Sequence, residues 1–300
     1  MAAVAVAGAA VVVVVDRVGL GWRRELAPAI LGNLQHIDIL EVIAEDYVRA
    51  DKGEIGAMRR LARQVPLSLH GVAMGLASTI AVPPERVQKM AHLVAALEPE
   101  SWSEHLAFVR AGGVEIGHLA APPRSAQSVA GAIANIAIAA RAVGSMPLLE
   151  NIATLIDPPA STMDEAQWVG EIVRGSGAPL LLDLHNLYAN ACNFGQNPYE
   201  LLLRFPLEHV GAVHISGGRW IAEPGGSGRK RLLDDHLHDV PDAVHDLLAL
   251  LAERAPQSLT VILERDGHFP DFESLLFQLH AARASLRRGR ERAKSMREAA

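Results

Sequence analysis

The stretch LLLDLHNLYAN, residues 180–190, runs from three leucines straight into Asp183, His185 and Asn186. A short apolar run of this kind, entered through Pro179, reads as a buried strand, which leaves the polar residues at its C-terminal end. Seven more runs share the pattern: VVVVVDRVGLG (11–21), IDILEVIAE (37–45), VPLSLHG (65–71), SWSEHLAF (101–108), MPLLENI (146–152), VGAVHISG (210–217) and LTVILERD (259–266). Longer helical patterns separate them. PPERVQKMAHLVAALEPE (83–100) opens on two prolines, and SAQSVAGAIANIAIAARAVG (125–144) has a serine cap and a closing glycine. TMDEAQWVGEIVRGSG (162–177) begins with threonine and acids and ends in glycines, and PDAVHDLLALLAER (241–254) and DFESLLFQLHAARASLRR (271–288) complete the series. Strands alternating with helices require parallel pairing through right-handed crossovers, and eight such units close into a barrel. The expected fold is α/β, a (β/α)8 TIM-like barrel in one domain over residues 1–282, with a basic tail, helical or frayed, over 283–300.

Side chains at the C-terminal ends of barrel strands converge on one mouth, where the active sites of this architecture lie. The polar residues of the eight runs fall there: His70; Glu104 and His105; Glu150 and Asn151; Asp183 to Asn186; His214; Glu264 and Asp266. The connection after the seventh run adds Asp234 and His236, two apart, which project to one side of an extended backbone. Any one of these residues is most simply a satisfied polar group or a helix cap. The set is different, because burying several carboxylates together is strongly unfavourable unless cations neutralise them. Histidines among them supply neutral nitrogen donors. The pattern predicts a site for more than one metal ion, with iron, zinc or manganese suited to mixed nitrogen and oxygen donors. The absence of clustered cysteines argues against an iron–sulfur cluster.

Composition narrows the partners. Three hundred residues, half of them apolar, suffice for one large core. The single cysteine, Cys192, rules out an internal disulfide; it suits a reducing cytoplasm and reads as a small apolar residue rather than a nucleophile. Net charge is −6, against a general nucleic-acid binder, yet residues 283–298 carry seven basic and two acidic groups, leaving −11 elsewhere. That tail reads as a solvated helix end; its sharper use would be docking of an acidic partner or peptide. The start, MAAVAVAGAAVVVVVD, lacks a positive n-region and is too short for a membrane span, so it is expected to be an extension leading into a first strand around Val11 to Val18. No later segment is expected to cross a membrane.

The ordered motifs LEVIAEDY, LSLHGVAMGLAS, SEHLAF, LLENIATL, LLLDLHNLYANACNFG, VHISG, LLDDH and VILERD resemble those of the multinuclear non-haem iron-dependent oxidative enzymes. That family includes the catalytic subunit that makes the oxazolone and thioamide groups of methanobactin. The resemblance spans roughly residues 17 to 280 and implies a barrel of the xylose-isomerase superfamily holding two or three irons of mixed Fe(II)/Fe(III) state. It implies dioxygen as co-substrate and oxidation of a residue, usually cysteine, in a ribosomally synthesised precursor peptide, in the cytoplasm, often with a separate leader-recognition partner protein. The donors also look like those of the trinuclear zinc endonucleases on the same barrel. By that similarity His70, His105 and Glu150 hold one ion, Glu150 bridges to a second held by Asp183, His214 and Glu264, and Asn186, Asp234 and His236 form a third position.

The chain departs from the family pattern near this site. It has Asp46 between Glu45 and Tyr47 where the family usually writes asparagine, His185 before Asn186 where the family has two asparagines, and Gly218 where a second histidine is common. Arg23, Arg24 and the loop GGRWIAEPGGSGRKR (217–231) are candidates for peptide contact. Two other classes fit less well: a zinc phosphodiesterase, endonuclease or sugar isomerase on the same barrel, and a non-catalytic scaffold that presents the peptide to a partner. The near-complete donor set argues against the scaffold, and the absence of a strongly basic surface argues against nucleic acid.

Overall fold

The computed structural model describes residues 15–223 and 228–299. Eight parallel strands close a barrel: β1 (Arg17–Gly21), β2 (Leu40–Ile43), β3 (Leu67–Gly71), β4 (Ser101–His105), β7 (Leu148–Glu150), β8 (Leu180–Asp183), β9 (Val210–Ile215) and β12 (Thr260–Leu263). Each lies in one of the eight expected runs. Two antiparallel hairpins interrupt the repeat after β4 and β9, namely β5 (Phe108–Ala111) with β6 (Val114–Ala120), and β10 (Gly218–Ala222) with β11 (Lys230–Asp234). The helices are α1 (Ala27–Gly32), α2 (Lys52–Ala62), α3 (Pro84–Leu97), α4 (Ala126–Val143), α5 (Glu165–Ser176), α6 (Leu184–Phe194), α7 (Pro198–Leu202), α8 (Asp242–Arg254) and α9 (Phe272–Glu298).

The strands read as near-continuous apolar runs because the helices cover one face and the barrel interior the other. Leu180, Leu181 and Leu182 are all fully buried. Each such side chain contributes about 1.5–3 kcal/mol over an exposed one. The caps follow the sequence signals. Ser125 accepts from Ser128 N at the start of α4, Asp164 caps α5, and Gly144 and Gly177 close those helices at φ 88° and 71°, the left-handed region a side chain disfavours.

Three expectations shift. The first strand begins at Arg17, because pairing with β12 starts at Arg17↔Thr260; Val15 precedes it and is exposed, and positions 11–14 of the expected strand lie outside the described residues. One later helix, α4, is long and apolar enough to cross a membrane by length and composition, contrary to the expectation that none would be. In the fold it is a barrel helix packed between α3 and α5, and its buried Asn135 donates to the carbonyls of Leu76, Ser78 and Ile80. Finally, the basic segment belongs to a helix that is packed well beyond residue 282. Ser285, Leu286 and Gly289 are buried, and Arg290 bonds Asp16 and the carbonyls of Ala252 and Gln257.

Candidate metal centre

Strand side chains alternate faces, so residues two apart share one. A small cavity inside the barrel is lined by Ser68, Ser103, Leu148, Leu181, Ala212 and Ile262, which marks them as inward-facing. Two residues on, toward the mouth, stand His70, His105, Glu150, Asp183, His214 and Glu264. Six elements thus deliver six donors to one layer, and all six are buried. The same parity turns Glu104 away from them, to accept from Met74 N on the far side of β4.

The donors converge. Glu150 Oε2 lies 3.3 Å from both His70 Nε2 and His105 Nε2, and Glu150 Oε1 lies 3.2 Å from His214 Nδ1. Glu264 Oε2 is 3.1 Å from the same His214 nitrogen. Two groups of donor atoms could each surround an ion: His70, His105 and Glu150, and then Glu150, Asp183, His214 and Glu264. Glu150 belongs to both. A third group contains a residue that motif reading missed: Glu41, with His70 and His214. Its carboxylate is 2.7 Å from His214 Nε2 and accepts from Ser68 Oγ. Its signal in the sequence is a lone acid inside the apolar run of β2, at an inward position.

Local structure aims these groups. Strand β8 passes into α6 without a loop, with Asp183 as the cap: Oδ1 accepts from Asn186 N at 2.7 Å, which leaves Oδ2 for the interior. Asn151 ties the ends of β7 and β8 by exchanging hydrogen bonds with the Asp183 backbone. Asn186 Nδ2 donates to Asn151 O, so the Asn186 side-chain oxygen is the free end. Ser103 Oγ lies 2.8 Å from His70 Nδ1, directing Nε2 at Glu150.

Asp234 and His236 meet at 2.9 Å, and His236 is held in the left-handed region at φ 54°, a strained setting for a non-glycine residue. Both line one cavity of about 580 Å3 together with His70, His105, Glu150, Asn186 and Glu264. Of the expected donors, only Asp183 and His214 do not reach that cavity wall. They lie beneath it, at full burial.

The electrostatics mark a site that protein groups alone do not neutralise. Burial, with Asp234, Glu150 and Glu264 nearby, pushes the Asp183 carboxyl well above its ordinary value. Burial acts against Glu150 too, but His105 and His214 outweigh it and hold that carboxyl below the usual range. Burial and then the neighbouring His105 and His214 drive His70 well below its ordinary value, whereas the carboxylates Glu264, Glu41 and Glu150 overcome burial and raise His214. Buried Glu150 Oε2, Asp183 Oδ2, Asn186 Oδ1 and Glu264 Oε2 have no aligned hydrogen-bond donor. Native interiors rarely leave such atoms unmatched, and a cluster of them pointing inward fits cation binding. The donor set, imidazole with carboxylate and amide oxygen and no thiolate, suits iron, zinc or manganese.

The candidates for peptide contact are differently disposed. Arg23 is turned inward and bonds Asp266 through Nε and Nη2, and Asp266 Oδ2 in turn lies 3.0 Å from His236 Nδ1. Arg24 pairs with Glu54 and lies over the Tyr47 ring. Of loop 217–231, residues 218–222 form β10 and 230–231 open β11, with Arg219 and Trp220 exposed; positions 224–227 lie outside the described residues. Cys192, half-buried on α6, has its thiol pushed up by burial, which suits a packing residue and not a nucleophile.

Comparisons agree with this architecture. Solved structures with the same fold include D-psicose 3-epimerase from Clostridium cellulolyticum, at 13% identity and TM-score 0.55 over 92% of this chain and 99% of that one. Endonuclease IV from Thermus thermophilus aligns at 16% identity and TM-score 0.56 over 91% and 99%. At these identities the likeness concerns the barrel alone. Among sequences, a UPF0276 protein of Streptomyces avermitilis is 36% identical over 92% of this chain, and the match spans 56% of that longer relative. A UPF0276 protein of Caulobacter vibrioides is 30% identical over 92% of this chain and 96% of its own length. The family model for the RiPP precursor modification enzymes MbnB/TglH/ChrH matches residues 17–287, and the chain belongs to that family.

Proposed function

We propose that the chain is a multinuclear iron-dependent, dioxygen-using oxidoreductase that modifies a cysteine of a ribosomally synthesised precursor peptide, in the cytoplasm. The observation that carries this reading is the shared Glu150, which joins two buried donor groups in a member of a precursor-modifying family. His70, His105 and Glu150 would hold one ion; Glu150, Asp183, His214 and Glu264 a second; Asn186, Asp234 and His236 a third. Bound iron would supply the one-electron and dioxygen chemistry that amino-acid side chains lack.

The chain's own residues do the rest. Ser103 orients His70, Asn151 orients Asp183 and Asn186, and Glu41 backs His214. Such outer partners fix ligand geometry and basicity. The cavity, of about 580 Å3, has apolar wall residues in Leu155, Ile156, Leu232 and Leu233. Leu155 and Ile156 are exposed at the mouth and offer contact to an entering peptide. A leader-recognition partner is part of the proposal; nucleic acid and membrane are not.

Metal analysis with Mössbauer spectroscopy on protein from iron-supplemented cells tests this. Two or more irons per chain are expected. Stoichiometric zinc with phosphodiesterase activity would replace the proposal with a hydrolase, and metal-free protein that still binds peptide would replace it with a scaffold.

A further inference from the structure

Asp234 ends β11 with both carboxylate oxygens engaged. Oδ1 lies 2.7 Å from His185 Nδ1 and accepts from Ser216 Oγ at 3.3 Å, while Oδ2 lies 2.9 Å from His236 Nε2. An ionised carboxylate has no proton to give, so His185 Nδ1 is the donor of the short bond. His185 sits in the first turn of α6, fully buried, and it is not part of the wall of the central cavity. It therefore reaches Asp234 from behind, from the helix side, while Asp234 itself faces the cavity.

Space for that ring is made at Gly218, which pairs with Asp234 across the hairpin. A Cβ at position 218 would fall 2.6 Å from His185 Cε1 and 3.1 Å from Nε2, and 2.2 Å from Leu233 O. Glycine there lets the hairpin close over the imidazole. His185 Nε2 has no hydrogen-bond partner among the described residues, so the ring's polar contact is the one to Asp234.

We propose that His185 is the positioning residue of the outer metal position: its Nδ1–H fixes the orientation of Asp234 beside His236 and Asn186, and Gly218 admits its ring. The inference rests on the metal reading above. Its reason is mechanical: a carboxylate among like charges needs a donor behind it to hold one rotamer, and losing such a partner typically weakens a metal site by about 10–100-fold.

The test is anaerobic Mn(II) titration with free ion read by electron paramagnetic resonance, on the wild type and on His185→Ala, His185→Asn and His185→Gln, each checked for folding by thermal melting. The Asn amide can place an N–H where Nδ1–H stood; the Gln amide fills the volume but places its N–H at the Nε2 end. One class of Mn(II) should weaken about 10–100-fold in the Ala and Gln variants, with the others unchanged and Asn close to wild type. Unchanged binding in the folded Gln variant, or equal losses in Asn and Gln, overturns the role of His185. Fewer than two ions on the wild type overturns the metal reading itself, before any variant is compared.

Discussion

Replacement of Glu150 by glutamine is the sharpest perturbation, because one carboxylate serves both buried donor groups. The substitution keeps the shape and removes one negative charge from a position 3.2–3.3 Å from His70, His105 and His214. At an effective dielectric of about 20, a unit charge pair at about 4 Å is worth about 4 kcal/mol. A dication doubles that, and if the amide oxygen recovers about half, about 4 kcal/mol is lost at each ion, on the order of 10³-fold in affinity. Both inner ions should therefore disappear together from protein purified without added metal, while an ion at Asp234 and His236 persists. The assay is metal content per chain by mass spectrometry, with melting curves of the chelated proteins recorded alongside so that binding is measured on folded chain. Loss of a single ion, or of none, would refute Glu150 as the shared ligand.

Chelation of the purified protein should lower its melting temperature. Each ion present at about 100 times its dissociation constant stabilises by about 2.7 kcal/mol, and that corresponds to about 4 °C for a chain of 300 residues; an unchanged melting curve would count against resident metal. Burial raises the Glu165 carboxyl from 4.5 to about 7, with Arg124 and the Asn190 amide offsetting only part of it. The folded state then holds a proton that the unfolded state has released between those values, so this residue's contribution to stability falls as pH rises from 4.5 through 7, by at most about 3 kcal/mol. In urea denaturation at pH 5 and pH 8, Glu165→Gln should show a flatter pH dependence and be the more stable protein at pH 8; the same slope as wild type would show that the group is not so perturbed. Arg290→Ala removes a guanidinium that bonds Asp16, Ala252 O and Gln257 O, and should cost about 2–3 kcal/mol in the same assay, whereas a cost below about 0.5 kcal/mol would mean the α9 end is not anchored there.

Much of the centre was legible because two periodicities coincide. Ser68 and His70, Ser103 and His105, Ala212 and His214 are spaced by the strand repeat, and an acid or histidine at the end of an apolar run points to the barrel mouth once the run is known to be a barrel strand. Less was legible where adjacent residues compete for one face. Glu104 and His105 stand side by side, and only closure of the barrel puts His105 inside and sends Glu104 to Met74 N. Glu41 escaped notice because it lies below the strand end; its importance comes from His214, a residue on the opposite part of the barrel. Arg23 reads from sequence as a candidate for peptide contact because nothing nearby in sequence names Asp266 as its partner.

The order of strands and helices, their caps and the chemical types of the donors belong to the sequence alone, since they follow from local backbone preferences and from residues read within a few positions of one another. Which donor atoms stand close enough to surround one ion, that Glu41 joins them, and how His185 stands behind Asp234 across from Gly218 are visible only in the tertiary structure. Those relations join segments far apart in the chain, and no local pattern encodes a distance that exists only after the barrel has closed.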